Sequence, residues 1–73
     1  MPLAMLPLGV EGRISGFQGG RGLVRRLVEM GFQPGERVRV VHSNRPGPVV
    51  VEVKDTRLAL GRGMAMKVMV EVG

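Results

Sequence analysis

Apolar and polar residues alternate along most of this chain, and a period of two is typical of β-strands with one buried face. Glycine, proline and charged residues separate the alternating stretches and favour turns between them. The predicted strands are Val10 to Phe17, Arg37 to Val41, Val49 to Lys54, Thr56 to Leu60 and Lys67 to Val72. In the last of these we expect the valines at positions 68, 70 and 72 to share the buried face.

One segment has a helical period instead. Apolar residues recur every three or four positions between Arg21 and Met30, opposite arginines and a glutamate, which predicts a helix there. The apolar stripe consists of Leu23, Val24, Leu27, Val28 and Met30. Gly31 stands where a left-handed C-terminal cap is needed, and Pro34 prevents continuation. We expect Phe32 to pack back on Leu27.

Three connections between the predicted strands have recognisable turn chemistry. Arg45 to Pro48 is rich in proline and glycine and predicts a turn. Lys54 to Arg57 predicts a tight hairpin in which Asp55 tolerates the left-handed region. Gly61 to Met66 predicts a short turn or a single helical turn.

The number and order of these elements predict the fold class. Five short strands with one helix inserted after the first favour a mainly β structure, in which the small sheet curls into a barrel to hide its inner face. No internal repeat or linker divides the 73 residues, so we expect one domain spanning residues 1–73.

The composition limits both the kinds of cross-link that can stabilise the protein and its expected cellular location. The chain contains no cysteine, so it has neither disulfides nor a cysteine-based zinc site. Met1 to Val10 is apolar but is broken by Pro2 and Pro7 and lacks a basic start, so we do not expect a signal peptide. No apolar run approaches the ~20 residues that a membrane span needs. These features are compatible with a cytoplasmic protein.

The net charge of +5 favours an anionic partner, which includes nucleic acid, a lipid surface or an acidic protein patch. Most of the basic residues are arginine, which suits bidentate recognition of carboxylate or phosphate. A simply well-solvated surface is the alternative.

Several segments resemble the FeoA family. They are Leu3 to Gly9, Gly12-Arg13-Ile14, Gly19 to Gly35 and Pro46 to Leu60, of which the most distinctive part reads Arg-Arg-Leu-x-x-Met-Gly-Phe-x-Pro-Gly. The resemblance implies an SH3-like barrel with a helix after the first strand. It also implies a small cytosolic accessory of the bacterial ferrous iron transporter. Gly61 to Lys67 and Asp55 depart from the family pattern.

Arg21, Arg25 and Arg26 form a basic helix face, and Arg57 lies on the outward face of a hairpin strand. We take these four arginines as candidate partner-docking residues, with plain solvation as the alternative. Arg25 and Glu29 also have the spacing of an i,i+4 ion pair.

Candidates for metal, cofactor and catalytic sites are poor. His42 is the only histidine, so the sequence does not supply the converging ligands of a ferrous site. Met64, Met66 and Met69 are better interpreted as packing residues or an adaptable apolar surface than as copper ligands. The glycine-rich loop Gly19 to Gly22 lacks a phosphate-binding signature and fits a tight strand-to-helix connection. We therefore expect no enzyme activity, no cofactor and no resident metal.

The functional prediction is a non-catalytic accessory that docks on the cytosolic part of a GTP-dependent Fe(II) transporter, a FeoB-like membrane G-protein, and modulates it. It would be peripheral to the membrane at most, and its oligomeric state is left open. The alternative is a small basic β-barrel that binds nucleic acid. Phe17 and Phe32 are its only aromatic residues, which disfavours nucleic acid because single-strand binders use stacking platforms.

Overall fold

Five strands, one helix of nine residues and two short helical turns make up the chain. The computed structural model describes all residues, 1–73. A 3₁₀ turn covers Leu3–Met5, and the strands and helices follow as β1 (Glu11–Phe17), α1 (Arg21–Glu29), β2 (Arg37–Ser43), β3 (Val49–Val53), β4 (Thr56–Leu60), α2 (Arg62–Ala65) and β5 (Val68–Glu71). The five strands and the helix after the first strand are as the sequence predicted.

The strands form one antiparallel sheet in the order β4-β3-β2-β1-β5. The pairing register shifts between Ile14 and Gly16 on β1 and between Val40 and His42 on β2. Such irregularities bend a strand and increase its twist, so the sheet curls around its apolar face. The N-terminal segment extends the β5 edge, where Pro2 bridges to Met69.

The core is a single cluster that receives side chains from every strand. Its members are Leu3, Leu6, Ile14, Leu27, Phe32, Val38, Val40, Val49, Val51, Val53, Leu60, Ala65, Val68 and Val70. The alternating residues of the strands supply most of these side chains, as period-two patterning requires. No charged or polar residue is fully buried, so every ionisable side chain keeps some contact with solvent.

Two parts of this core differ from the sequence-based expectation. Val72 was expected inside with Val68 and Val70, but β5 ends at Glu71 and Val72 is 56% exposed. Alternation fixes a face only while the chain stays in the sheet, which explains that error. Conversely, Leu3 and Leu6 are buried, although the sequence pattern assigned no structural role to the N-terminal segment.

The end of helix α1 is as predicted. Gly31 has a φ of 106°. This backbone conformation favours glycine, because a side chain would be strained there. The Phe32 amide then donates a 2.9 Å hydrogen bond to the Leu27 carbonyl, and both side chains are fully buried. This turn anchors the helix to the barrel through Leu27 and Phe32.

The hairpin between β3 and β4 is also as predicted, with one addition. Lys54 has a φ of 52° and Asp55 a φ of 60°. Two successive residues in the left-handed region are the signature of a two-residue type I′ turn. Asp55 was expected there, whereas Lys54 was not, because lysine is not a residue that favours this conformation. The turn fixes the pairing of Val53 with Thr56.

Candidate docking surface

Helix α1 presents three arginines without internal partners. Arg21, Arg25 and Arg26 are all exposed, and none lies within 4 Å of a carboxylate oxygen or donates a side-chain hydrogen bond. The spacing of Arg25 and Glu29 allows an ion pair, but the two side chains do not form one. The positive charge of this helix is therefore free to meet an external group.

The apolar stripe of α1 is only partly covered by the barrel. Leu27 is buried, whereas Leu23, Val24 and Val28 are half-buried and Met30 is 38% exposed. Val24 and Val28 follow Arg21 and Arg25 at a spacing of three, which places valines and arginines side by side on the helix. We call Arg21, Arg25, Arg26, Val24 and Val28 the helix patch.

Arg57, the fourth candidate, lies in a different setting. It stands on β4, and its Nε is 3.3 Å from Oε2 of Glu52 on β3. The structure therefore groups the three helix arginines on one element and leaves Arg57 apart from them, with its charge already compensated.

Arg57 belongs to a row of charges that crosses the outer face of the sheet. Arg57 is opposite Glu52, Glu52 opposite Arg39, and Arg39 opposite Glu11, so the sign alternates over four strands. Opposite charges on facing strands stabilise a sheet modestly. Within this row the Glu11 carboxylate is shared, since it lies 3.8 Å from Arg39 and 3.9 Å from Arg37.

A polar groove of about 420 Å³ opens beside that row. Its lining consists of Glu11, Arg13, Gly35, Glu36, Arg37, Val38, Arg39, Glu52, Lys54 and Asp55. Lys54 Nζ lies 3.7 Å from Glu36 Oε1, and Arg13 Nη1 donates a 3.0 Å hydrogen bond to the Gly35 carbonyl. Sequence reasoning missed this groove, although the alternation of arginine with valine from Arg37 to Val40 was a usable signal.

The remaining polar candidates form no site. His42 is exposed, and its Nε2 is 3.1 Å from Nδ2 of Asn44. No group of three or more histidine, cysteine, aspartate or glutamate side chains is arranged to hold a metal ion. Ser43 Oγ accepts a 2.9 Å hydrogen bond from Arg62 Nη2, which ties α2 to the end of β2.

The glycine-rich loop and the methionines have packing explanations. Gly19 has a φ of 154°, a conformation that favours glycine, and a Cβ there would also displace the end of the Leu23 side chain, so glycine suits this connection between β1 and α1. Met64 packs against the core and Met69 is half-buried, while Met66 stays 41% exposed.

No helix in the structure combines the length and the apolar character that crossing a bilayer requires.

Comparisons with known proteins agree on one family. The model of the FeoA domain matches residues 1–72. A Methanocaldococcus jannaschii protein, named as a candidate Fe(2+) transport protein A, is 41% identical over 70 residues, which are 96% of this chain and 84% of that protein.

Solved structures extend the agreement to the fold. The crystal structure of an iron uptake regulatory protein, FeoA, is 35% identical, with a TM-score of 0.91, and the match covers 97% of this chain and 95% of that one. Zinc-complexed FeoA of Stenotrophomonas maltophilia is described as an SH3 domain protein and a proposed activating factor for ferrous iron transport. It is 36% identical, with a TM-score of 0.84 and coverage of 97% and 89%. The chain therefore belongs to the FeoA family and has its SH3-like barrel fold.

Proposed function

We propose that this protein is a non-catalytic accessory of ferrous iron transport that acts in the cytoplasm. It docks on the cytosolic part of a GTP-dependent Fe(II) transporter, a FeoB-like membrane G-protein, and modulates it. The observation that carries the proposal is the helix patch, in which three arginines have no internal partner and two of them, Arg21 and Arg25, border half-buried valines. Relatives of the chain are named for Fe(2+) transport or for the activation of that transport, which supports ferrous iron transport as the process in which it acts.

The helix patch has the composition of a protein interface. Arginine is enriched among the hot-spot residues of protein interfaces. Aliphatic side chains beside it supply apolar area that is removed from water on binding. Because Arg21, Arg25 and Arg26 have no internal carboxylate, docking does not have to break an existing ion pair. Their charge would also speed encounter with an acidic surface.

A non-catalytic role fits the surroundings of the hydroxyl groups. Ser43 Oγ is engaged by Arg62, and Thr56 Oγ1 donates a 3.4 Å hydrogen bond to the Lys54 carbonyl. Ser15 is exposed and makes no side-chain hydrogen bond, and none of the three hydroxyls is hydrogen-bonded to His42, the only imidazole. An activated nucleophile needs such a base within hydrogen-bond reach.

The proposal is tested by titrating the purified chain against the isolated cytosolic G-domain of the transporter from the same organism. We expect saturable binding, and a variant with Arg21→Glu and Arg25→Glu should bind at least about tenfold more weakly because two attractive charges become repulsive. The matched control carries Arg45→Glu and Lys67→Glu, which change the net charge equally outside the helix patch and should weaken binding only about twofold.

The GTP hydrolysis rate of the G-domain, with and without the chain, reports modulation. A wild-type chain that neither binds the domain nor changes this rate would refute the proposed function. Equal losses in the helix-patch variant and its control would refute the helix patch as the docking site.

Nucleic-acid binding is the second candidate, and the net charge of +5 favours it. Phe32 is fully buried and Phe17 is half-buried, so the barrel lacks an exposed aromatic platform. A gel shift with single-stranded and duplex probes over a range of salt decides between the two. Submicromolar binding that weakens steeply with salt would support this candidate over the accessory role.

A further inference from the structure

Two arginines on the outer face of the sheet break the alternation of charge described above. Arg13 on β1 is directly opposite Arg37 on β2, and like charges in this position destabilise a sheet. The neighbouring Ile14 amide donates to the Glu36 carbonyl at 2.9 Å. Arg13 and Arg37 therefore occupy the adjacent non-hydrogen-bonded position, where facing side chains stand closest. We call these two residues the arginine pair.

Internal carboxylates compensate the arginine pair incompletely. Glu11 is divided between Arg37 and Arg39, and Arg13 has no carboxylate oxygen within 4 Å. Glu71 pairs with Arg13 in the register of β5, but the two side chains form no ion pair. An external carboxylate placed between Arg13 and Arg37 would relieve their repulsion.

The arginine pair is also positioned for recognition. The hydrogen bond from Arg13 Nη1 to the Gly35 carbonyl fixes one guanidinium at the wall of the groove. The side chain of Arg37 is 69% exposed. Its fork of N–H donors is therefore accessible to an external carboxylate. Departures from local stability rules in a well-formed fold are expected at functional positions.

We propose that the arginine pair is a second docking site, which binds a carboxylate of an acidic segment on a protein partner. The groove carries as many acidic as basic side chains, and its carboxylates repel a polyanion whose charges are evenly spaced. An acidic peptide can place one or two carboxylates on the arginine pair and uncharged residues beside Glu36 and Asp55. Charge complementarity therefore favours a protein segment over nucleic acid.

This site deepens the proposed function, since it rests on the chain acting as an adaptor for another protein. It adds a second contact on the sheet to the helix patch on α1. Two contacts on one small barrel would bind a partner more tightly than either contact alone when the partner reaches both.

The test uses the ¹⁵N-labelled chain and the blocked peptide acetyl-Gly-Glu-Glu-Gly-amide, with acetyl-Gly-Gln-Gln-Gly-amide as its uncharged control. We expect the largest amide shifts at and beside Arg13 and Arg37, and we expect them to fade as salt rises from about 50 to about 500 mM. Arg37→Gln should weaken the interaction at least about fivefold, while Arg45→Gln, at an exposed loop arginine, should change it less than about twofold.

Several outcomes overturn the proposal. They are shifts centred on α1, an equal response to both peptides, an unchanged affinity in Arg37→Gln, or tighter binding of oligothymidylate than of the acidic peptide at the arginine pair. A folded spectrum of Arg37→Gln is expected because the side chain is exposed. Binding of the peptide without binding of the transporter domain would refute the proposed function alone, whereas domain binding that is unaffected by Arg37→Gln would refute this site alone.

Discussion

At the scale of single residues, two glycines near helix α1 have opposite roles. Gly22 lies inside the helix with open space where a Cβ would be, so its only effect there is to lower helix propensity. Gly31 ends the helix with a positive φ, although the nearest contact of an added Cβ would be at 3.9 Å, an ordinary distance. A side chain at Gly31 is therefore strained by the backbone and not by crowding. The same residue type weakens the helix at one position and terminates it at the other.

We expect Gly22→Ala to raise the free energy of unfolding by up to about 1 kcal/mol. Gly31→Ala should lower it by about 1–3 kcal/mol, because alanine must adopt a sparsely populated backbone conformation. Urea titration of both variants measures the difference. Equal effects of the two substitutions would contradict the role assigned to Gly31.

Positive backbone φ angles were predictable from the sequence only where the residue type favours them. Gly31 followed by Phe32 and Pro34 indicates a helix end by itself. Lys54 gave no such signal, because its positive φ is imposed by the two-residue hairpin and not by its own preference. The local sequence thus predicted the positive φ of Gly31, whereas the positive φ of Lys54 follows only from the geometry of the two paired strands.

At the scale of elements, Arg62 joins α2 to the connection between β2 and β3. Its Nη2 donates to Ser43 Oγ at 2.9 Å, and its Nε donates to the Gly47 carbonyl at 3.3 Å. One bond holds the end of β2 and the other holds the loop of residues 44–48 against a helix that is distant in sequence. The short loop, rich in proline and glycine, is closed by the hydrogen bond from the Gly47 amide to the Asn44 carbonyl and is held to α2 by the Arg62 side chain.

Arg62→Ala should therefore cost about 1–2 kcal/mol of stability, from two lost hydrogen bonds. In this variant the amides of Asn44, Arg45 and Gly47 should exchange with solvent faster than in the wild-type chain, while the exchange of the barrel strands should be unchanged. Arg45→Ala is the control, because Arg45 is exposed without a side-chain partner. That substitution should change stability by less than about 0.5 kcal/mol. Uniform acceleration of exchange along the whole chain would argue against a local clamp.

The elements themselves were largely predictable, but the charged groove was not. Alternating valines and a punctuated helix indicate their structures locally, so all five strands and α1 were found within two residues at each end. The arginine pair depends on which residue of β2 faces Arg13, and strand register is set by tertiary packing and hairpin geometry. The docking candidates on α1 could be named from the sequence, because they depend only on the position of the helix. Their docking role stays a prediction.

At the scale of the whole molecule, one core connects every strand, helix α1, helix α2 and the N-terminal segment. A shared core of this kind favours cooperative unfolding, and small domains of this size usually unfold in one step. The absence of cysteine makes that transition independent of thiol–disulfide exchange.

Calorimetry should show a single transition with an enthalpy of about 50 kcal/mol near about 60 °C, from ~0.7 kcal/mol per residue over the 73 residues. The calorimetric and van't Hoff enthalpies should agree, and a reducing agent should not change them. Two resolved transitions would contradict the single core.

Leu3→Ala tests whether the N-terminal segment belongs to that unit. Leu3 is fully buried. We therefore expect a loss of about 2–5 kcal/mol that moves the whole transition to lower temperature. Met5→Ala is the control, since the Met5 side chain is largely exposed. An unchanged transition in Leu3→Ala would show that the segment contributes nothing to the core.

The complete segregation of charge from the interior has a consequence for how such a protein can diverge. Since the buried core contains only aliphatic and aromatic side chains, most exchanges of one surface ion for another leave the scaffold intact. Related proteins can therefore change which partner they bind by substituting surface arginines and glutamates while they keep the same barrel. Fold and binding specificity then depend on largely separate sets of residues.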